Sequence, residues 1–595
     1  MPENIDPTWL AWSLDKPAGE ERLAAGLDRV ERHYARLVDY PLERRARAEG
    51  ALGVAVIGDA DSRCLWPDFA EDAQVATATA YAPTGWERLC GETDPGSAPL
   101  PLARALLDRP EAAASLNAPA VIAVLDRSAA RLLVAGDAIG AGRLYELRFD
   151  GGTAWSNRAG ALPLFAGVEP VADPRGWRIL AAASWPLADS TPLAGVRKAG
   201  PGACIWASSD GIYRKAIDGP ADLAAGHGRK FSEQAEEAAA QAQALAATAG
   251  RLWGAEAEVD LSGGRDSRVV AAAAVAAGID TRIHTSDVNP GEADVARKLV
   301  AAAPRTLDHR VKRAADSEVR PRATPLLERA RNVHLIHDGM RHPQKLRGEM
   351  AMPRRRPEGA TLSGHGGEIA HGFFYKNKRE ARRLRRGGDD ALVERVMRFF
   401  AKGIGAARPD AVEEARAAVE ESFERGRSLG LEGPVLLDYF YLVDRFAHRS
   451  GAGADAERVS VFTVPAFIRA AFSLTPEQRV GARLHAAMIE RLVPEWSAIP
   501  FYEAEGSPMP RVRRLRLWES PDDAAAIEAL LDGGGSWEEL YEPDRLRDAW
   551  RELRAGGGAA KWESAFEGIA YRAAYDDYLA ELSAAAAVGP PLTDG

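Results

Sequence analysis

Ser262, Asp266 and Ser267, set around Gly263 and Gly264, are the residues of this chain best suited to chemistry on a phosphate. The run Val259-Asp260-Leu261 ends in Ser262-Gly263-Gly264-Arg265-Asp266-Ser267-Arg268, and an alanine-rich stretch continues as far as Gly278. That order reads as strand, turn, helix. Two glycines let the backbone approach an anion and leave its amide N–H groups uncovered. The helix N-terminus behind them contributes roughly half a positive charge. Ser262 and Ser267 offer hydroxyls, and Asp266 offers a hard oxygen for Mg²⁺. The Gly-Lys-Ser/Thr of a Walker loop is absent.

The elements that must position this turn can be read on either side of it. From about residue 233 an Ala/Glu/Gln-rich stretch predicts a long helix leading to a strand at Ala257–Leu261. A second strand is expected at Thr281–Thr285 and a helix at Ala293–Ala303. Strands alternating with helices imply a parallel α/β sheet with its ligand at the C-terminal strand ends. Residues 50 to 215 are β-rich instead, with apolar runs such as Ala51–Ile57, Ala120–Leu125 and Arg131–Ala135 split by Gly, Asp, Asn and Pro. Residues 216–232 read as a linker. From about 390 the pattern is mostly helical.

With 595 residues the chain needs more than one core. A net charge of −10 argues against a general nucleic-acid binder. Cys64, Cys90 and Cys204 are too few and too scattered for a disulfide framework. Neither a signal peptide nor a long apolar run is visible, so a cytoplasmic location without membrane contact is expected. Lys376–Arg386 is densely basic. It reads either as a solvated helix face or as a clamp for phosphates, a carrier protein or an acidic leader peptide.

Three further stretches give these parts a family resemblance. Val121–Arg127 and Leu132–Glu146 resemble the strand pair and turn of class II glutamine amidotransferase domains. Trp155–Leu162 and Gly195–Gly202 resemble that domain's closing strands. Leu362-Ser-Gly-His-Gly-Gly-Glu-Ile-Ala-His-Gly372 resembles the second ATP-site turn of asparagine synthetases. With the Ser262–Ser267 turn, the chain resembles the asparagine synthetase superfamily over roughly residues 50–510. The resemblance implies a two-layered antiparallel β-sandwich flanked by helices over 1–218, a parallel α/β ATP-binding domain over 230–520, and a helical tail over 521–595. It also implies nucleotide contacts from Leu261, Ser262, Gly263, Gly264, Asp266, Ser267, Thr285, Ser363 and Gly364, with Mg²⁺ held by Asp266 and Glu368.

Departures from the family pattern shape the expected chemistry. Glutamine-using members carry cysteine after the initiator Met; this chain has Pro2. A scaffold-only amidotransferase domain is implied, similar to β-lactam synthetases and lasso-peptide cyclases, which couple an amine on the substrate. Glu368 stands where Asp is usual, and His365 is placed to act as general base on that amine. His371 reads as structural. Asp444 matches the family's acceptor-side carboxylate. Glu292 or Asp294 is placed either near the nucleotide or as an acidic first helical turn. The family's catalytic lysine is missing, because only Lys402 and Lys561 come after Lys378. Arg511, Arg513 or Arg514 are the cations available instead.

The expected activity is therefore ATP-dependent, AMP-forming amide synthesis on a small molecule or peptide that carries the carboxylate and the amine. Two rivals are a pyrophosphatase-loop enzyme acting on RNA and a catalytically impaired partner protein.

Overall fold

The computed structural model describes residues 6–91, 93–217, 228–254, 257–313, 322–355, 359–449, 458–503, 515–557 and 562–593. The strands of the first half are β1 (Thr8–Leu14), β2 (Leu42–Glu49), β3 (Leu52–Asp59), β4 (Phe69–Glu71), β5 (Val75–Thr79), β6 (Val121–Asp126), β7 (Arg131–Gly136), β8 (Tyr145–Phe149), β9 (Gly152–Ser156), β10 (Val196–Lys198), β11 (Ala203–Ser208) and β12 (Gly211–Ala216). Those of the second half are β13 (Ala257–Asp260), β14 (Thr281–Ser286), β15 (Asp308–Lys312), β16 (Thr361–Ser363) and β17 (Arg458–Ser460). The result is a mixed α/β protein with two antiparallel six-stranded sheets, β10-β8-β9-β1-β3-β2 and β12-β11-β7-β6-β5-β4, and one five-stranded sheet, β15-β14-β13-β16-β17.

Strand alternation builds the layers of the first half. In β1, Trp9 and Ala11 enter one core with Val54 and Val56 of β3 and Val121, Ala123 and Leu125 of β6. Leu10, Trp12 and Leu14 enter another with Ala55 and Ile57. Successive side chains of a strand face opposite sides, so the first set fills the space between two sheets and the second lines an outer face. On the far face of the second sheet, Ile122 and Val124 pack beneath Leu102, Ala103 and Leu106 of the helix Pro99–Asp108. The outer face of the first sheet carries the helices Glu20–Ala35, Ala161–Ala166 and Pro174–Ala183. That apolar cluster runs on without a break into the second half of the chain.

All strand pairs of the third sheet are parallel. From β13 the chain moves outward to β14 and β15, then returns to β13's other side for β16 and β17. The winding direction thus reverses between β13 and β16, and such a switch point opens a crevice at the C-terminal strand ends. The turn after β13 and the turn after β16 both face it. The helix Asp266–Ala276 behind the first turn is buried along Arg268–Val275. It packs against the helices Phe231–Trp253 and Arg483–Leu492, and its alanines permit that close approach.

The stretch after 521 is not a detached tail. Helix Glu563–Ala586 packs along helix Leu326–His337. Asp338, buried at the latter's end, accepts hydrogen bonds from Tyr34 (3.0 Å) and Tyr578 (3.2 Å), tying the first and last long helices to one carboxylate. Beyond that helix, buried Arg29 donates to the carbonyls of Leu164, Phe165, Val588 and Pro590, and the Leu592 N–H bonds Ala166 O at 2.9 Å. Among the described residues no helix is long and apolar enough to cross a membrane.

Candidate functional site

The turn after β13 is held from three sides. Ser267 Oγ accepts from Ser262 N (3.0 Å) and lies 3.0 Å from Ser262 Oγ, which in turn accepts from Gly264 N (3.1 Å). The strand end is clamped by Thr285, whose buried hydroxyl donates to Leu261 O at 2.8 Å, while Leu261 N bonds His284 O. Thr285 therefore faces the turn's own backbone, and His309 Nε2 meets the same hydroxyl at 2.9 Å. The third support is Ile499–Tyr502. Arg268 is 1% exposed and donates to the carbonyls of Ile499 (2.5 Å) and Pro500 (2.9 Å). Its guanidinium lies over the Phe501 ring, and Tyr502 N donates to Gly263 O at 2.9 Å. A Cβ on Gly263 would stand 2.7 Å from Tyr502 Cβ, so no larger residue fits there.

The turn after β16 reaches the same place. A Cβ added to Gly364 would lie 3.4 Å from Asp266 Cβ and 3.5 Å from Ser267 N, which is ordinary contact. One added to Gly367 would lie only 2.2 Å from Asp266 Oδ1. Two motifs about 100 residues apart in sequence are thus in van der Waals contact around one carboxylate.

That carboxylate has neighbours of its own. Asp266 opens the helix Asp266–Ala276, and its Oδ1 lies 2.9 Å from Nε2 of His485 and 3.5 Å from Nε2 of His371. His371 closes the short 3₁₀ turn Gly367–Ala370; His485 comes from the helix Arg483–Leu492, whose preceding Ala482 sits in the left-handed region at φ 50°. Burial opposes ionisation of Asp266, but the two facing imidazoles outweigh it and hold the carboxylate well below the ordinary range. Burial likewise lowers the pKa of His485. Neither Asp266 Oδ1 nor either ring nitrogen of His485 makes a hydrogen bond of good geometry.

Comparison with known proteins adds little. No protein-family model matches the chain, and no curated protein matches it. Among solved structures it is similar to the glutamine phosphoribosylpyrophosphate (PRPP) amidotransferase of B. subtilis complexed with ADP and GMP, at 9% identity and a TM-score of 0.24, over 54% of this chain and 83% of that one. It is similar also to the allosteric regulatory enzyme of purine biosynthesis, at 9% identity and a TM-score of 0.22, over 54% of this chain and 82% of that one. At such TM-scores neither likeness carries an argument about what this chain does.

The other expected residues divide into those beside the crevice and those elsewhere. Ser363 Oγ is bonded to Nδ1 of His365, and Ser460 Oγ donates to His365 O at 2.5 Å. His365 itself is exposed at the rim. Desolvation of its ring, then the charge of Arg458, lowers its pKa below the ordinary histidine value. Glu368 Oε2 accepts from Tyr441 OH at 2.7 Å. It is not part of the Asp266–His371–His485 group, the one set of three metal-ligating types among the described residues whose ligand atoms lie within 4.8 Å of one another.

Asp444 is placed away from these groups. It is 1% exposed; its Oδ1 accepts from Ala188 N (2.7 Å) and its Oδ2 from Ser422 Oγ (2.5 Å). The reason is local: Tyr441–Phe446 is a π-helical turn, wider than an α-turn, so Tyr441 meets Glu368 while Asp444 is turned toward the sandwich half. Asp294 pairs with Arg297 at 2.6 Å on an exposed face, and Glu292 lies in the first turn of a helix capped by Asn289. Arg511, Arg513 and Arg514 lie outside the described residues, as does Pro2. The basic run forms the helix Lys378–Arg386, burying Ala381 and Leu384 and turning its arginines outward, with Arg385 bound to Glu477 at 2.8 Å.

This donor set is a poor match for Mg²⁺. That ion takes oxygen ligands in near-octahedral geometry. Here two imidazole nitrogens crowd Asp266, and the Glu368 carboxylate is engaged by Tyr441.

Proposed function

We propose that the chain is an ATP-dependent, AMP-forming C–N ligase. The observation that supports this reading is the meeting of the Ser262–Ser267 and Gly364–Gly367 turns at the sheet's switch point, against a helix N-terminus. The helix N-terminus behind the first turn suits the phosphates of ATP. A substrate carboxylate then attacks the α-phosphorus, an acyl-adenylate forms and pyrophosphate departs. An amine attacks the acyl carbon, the C–O bond to AMP breaks, and AMP leaves with the carboxylate oxygen. His365, with Nδ1 engaged by Ser363, is the base for the amine proton. Holding the two reactants together accounts for most of the acceleration.

The amine belongs to the substrate in this reading. Release of ammonia from glutamine needs an activated thiolate. Burial instead pushes the Cys64 thiol up to about 12 and the Cys204 thiol up to about 11. A small molecule or peptide carrying both groups is the substrate class, with the exposed arginines of Lys378–Arg386 available to an acidic leader.

The test is AMP and pyrophosphate release from ATP with pooled carboxylates and peptides, comparing wild type with Asp266→Asn. AMP formation in the wild type and its loss in the variant support the reading. ADP as the product overturns it. One observation favours the rival of a non-catalytic nucleotide-binding partner, namely the engagement of Glu368 by Tyr441. Saturable ATP binding with no nucleotide product from any pool would decide for that rival.

A further inference from the structure

Three elements from distant parts of the chain deliver one carboxylate and two imidazoles to one point. Asp266 comes from the start of the helix behind β13, His371 from the turn after β16, and His485 from a helix that packs on the first. Their ligand atoms lie within 4.8 Å of one another, with Asp266 Oδ1 2.9 Å from His485 Nε2 and 3.5 Å from His371 Nε2. Four ligands held at about 2.0–2.1 Å around a tetrahedral ion stand roughly 3.3 Å apart. The two measured separations straddle that value.

The surroundings single out this group from an ordinary Asp–His contact. His485 is 0% exposed; its Nε2 lies 2.9 Å from Asp266 Oδ1 without hydrogen-bond geometry, and neither ring nitrogen nor that oxygen has a well-formed hydrogen bond. A buried polar atom without a well-formed hydrogen bond is costly, and here two of them, Asp266 Oδ1 and His485 Nε2, face each other. The His485 ring is fixed by Phe462 (centroids 5.5 Å apart) and Phe467 (6.0 Å), so it cannot turn away to find another partner. Gly367 leaves room for the carboxylate where any side chain would displace it. Asp266 and His371 keep side-chain exposures of 26% and 20%, which leaves a path for an ion from solvent.

We propose that Asp266, His371 and His485 bind one divalent transition metal of the zinc class, the fourth position being left to a solvent or ligand molecule. Imidazole nitrogen and carboxylate oxygen are ligands for Zn²⁺ and Co²⁺, and three protein ligands with one open position is the arrangement of zinc sites that bind a further molecule. The inference stands on these three side chains and does not rest on the ligase reading. It also explains why the donor set is a poor one for Mg²⁺.

The test uses the full chain, stripped with a chelator and kept free of nucleotide. Zn²⁺ is titrated calorimetrically and bound metal counted by mass spectrometry; Co²⁺ is titrated in parallel for its visible absorption. One metal per chain is expected. His371→Ala and His485→Ala should each weaken binding by more than the 10- to 100-fold typical of losing an outer partner. His371 is partly exposed, so its variant keeps the test decisive if the His485 variant misfolds. No zinc bound, zinc retained undiminished in the His371 variant, or binding of Mg²⁺ in preference to zinc each overturns the assignment. Because nucleotide is absent, failure here leaves AMP release unaddressed, and failure of AMP release leaves this result standing.

Discussion

Replacing Gly367 by Ala should dismantle the site while barely altering the chain's composition. The backbone at 367 is outside the left-handed region, so alanine suffers no conformational penalty there. The whole cost is steric: the new Cβ would lie 2.2 Å from Asp266 Oδ1, 2.4 Å from its Cγ and 3.0 Å from its Cβ. An overlap of this size must be relieved by swinging the carboxylate away or by backing off the turn that carries His371. Either movement separates groups that now converge, and the first leaves fully buried His485 facing nothing. Overpacking of this kind typically costs ~1–3 kcal/mol. Gly364→Ala is the control, since its contacts of 3.4 and 3.5 Å are ordinary and its stability should stay within about ±0.5 kcal/mol of wild type. Thermal unfolding by circular dichroism, paired with zinc titration, reads both effects. A double-mutant cycle localises them: in an Asp266→Ala background the Gly367 substitution should cost far less. The reasoning is refuted if Gly367→Ala matches wild type in midpoint and zinc affinity, or if its cost is unchanged once the Asp266 carboxylate is gone.

Two further outcomes concern side chains away from the crevice. Asp444→Ala should lower stability by about 2–5 kcal/mol, because it leaves the buried Ala188 N–H and the Ser422 hydroxyl unpaired. AMP release per folded molecule should be unchanged, so a stable variant with abolished AMP release would restore an acceptor-side role. Lys198 is 7% exposed, and burial, partly offset by Asp444 and Asp137, lowers its pKa from 10.5 to about 8. The unfolded chain then binds the proton more tightly than the folded one, so the Lys198 contribution is complete above pH 10.5 and is lost as pH falls through about 8. The stability difference between wild type and Lys198→Met should rise across that window by up to ~3 kcal/mol; a difference flat with pH sinks the assignment.

Much of the framework was legible because local chemistry and tertiary role agree. The Ser262–Ser267 turn, the strands on either side of it and the alternating runs of the sandwich are places where turn residues and apolar periodicity point one way. The features that escaped depend on packing at a distance. His485 sits in Arg483–Leu492, whose sequence is that of any amphipathic helix, and a single histidine on its buried face reads as core. Only the packing of that helix against Asp266–Ala276 gives it a partner. His371 was visible beside the second motif, yet nothing in its spacing tells a ligand from a structural residue. Asp444 reads as an acceptor-side residue from the sequence, yet it lies in the π-turn Tyr441–Phe446 and bonds Ala188 and Ser422, and such a turn has no reliable signature in sequence. Strand β2, Leu-Glu-Arg-Arg-Ala-Arg-Ala-Glu, carries the charges of a solvated helix; it is an edge strand, where charge guards against pairing with another chain.

The clasp of Arg29 on the Val588 and Pro590 carbonyls bears on how the protein is made. Residues that complete the outer layer over the first helices are translated long after them, Val588 following Arg29 by 559 residues. At ~5–20 residues per second, the apolar face over the helix Glu20–Ala35 waits roughly half a minute to two minutes for its covering. During that interval the nascent chain displays a surface that aggregation or a chaperone can capture. Ribosome-bound chains truncated before residue 588 should therefore be far more susceptible to protease around the helix Glu20–Ala35 than chains that include residues 588–592.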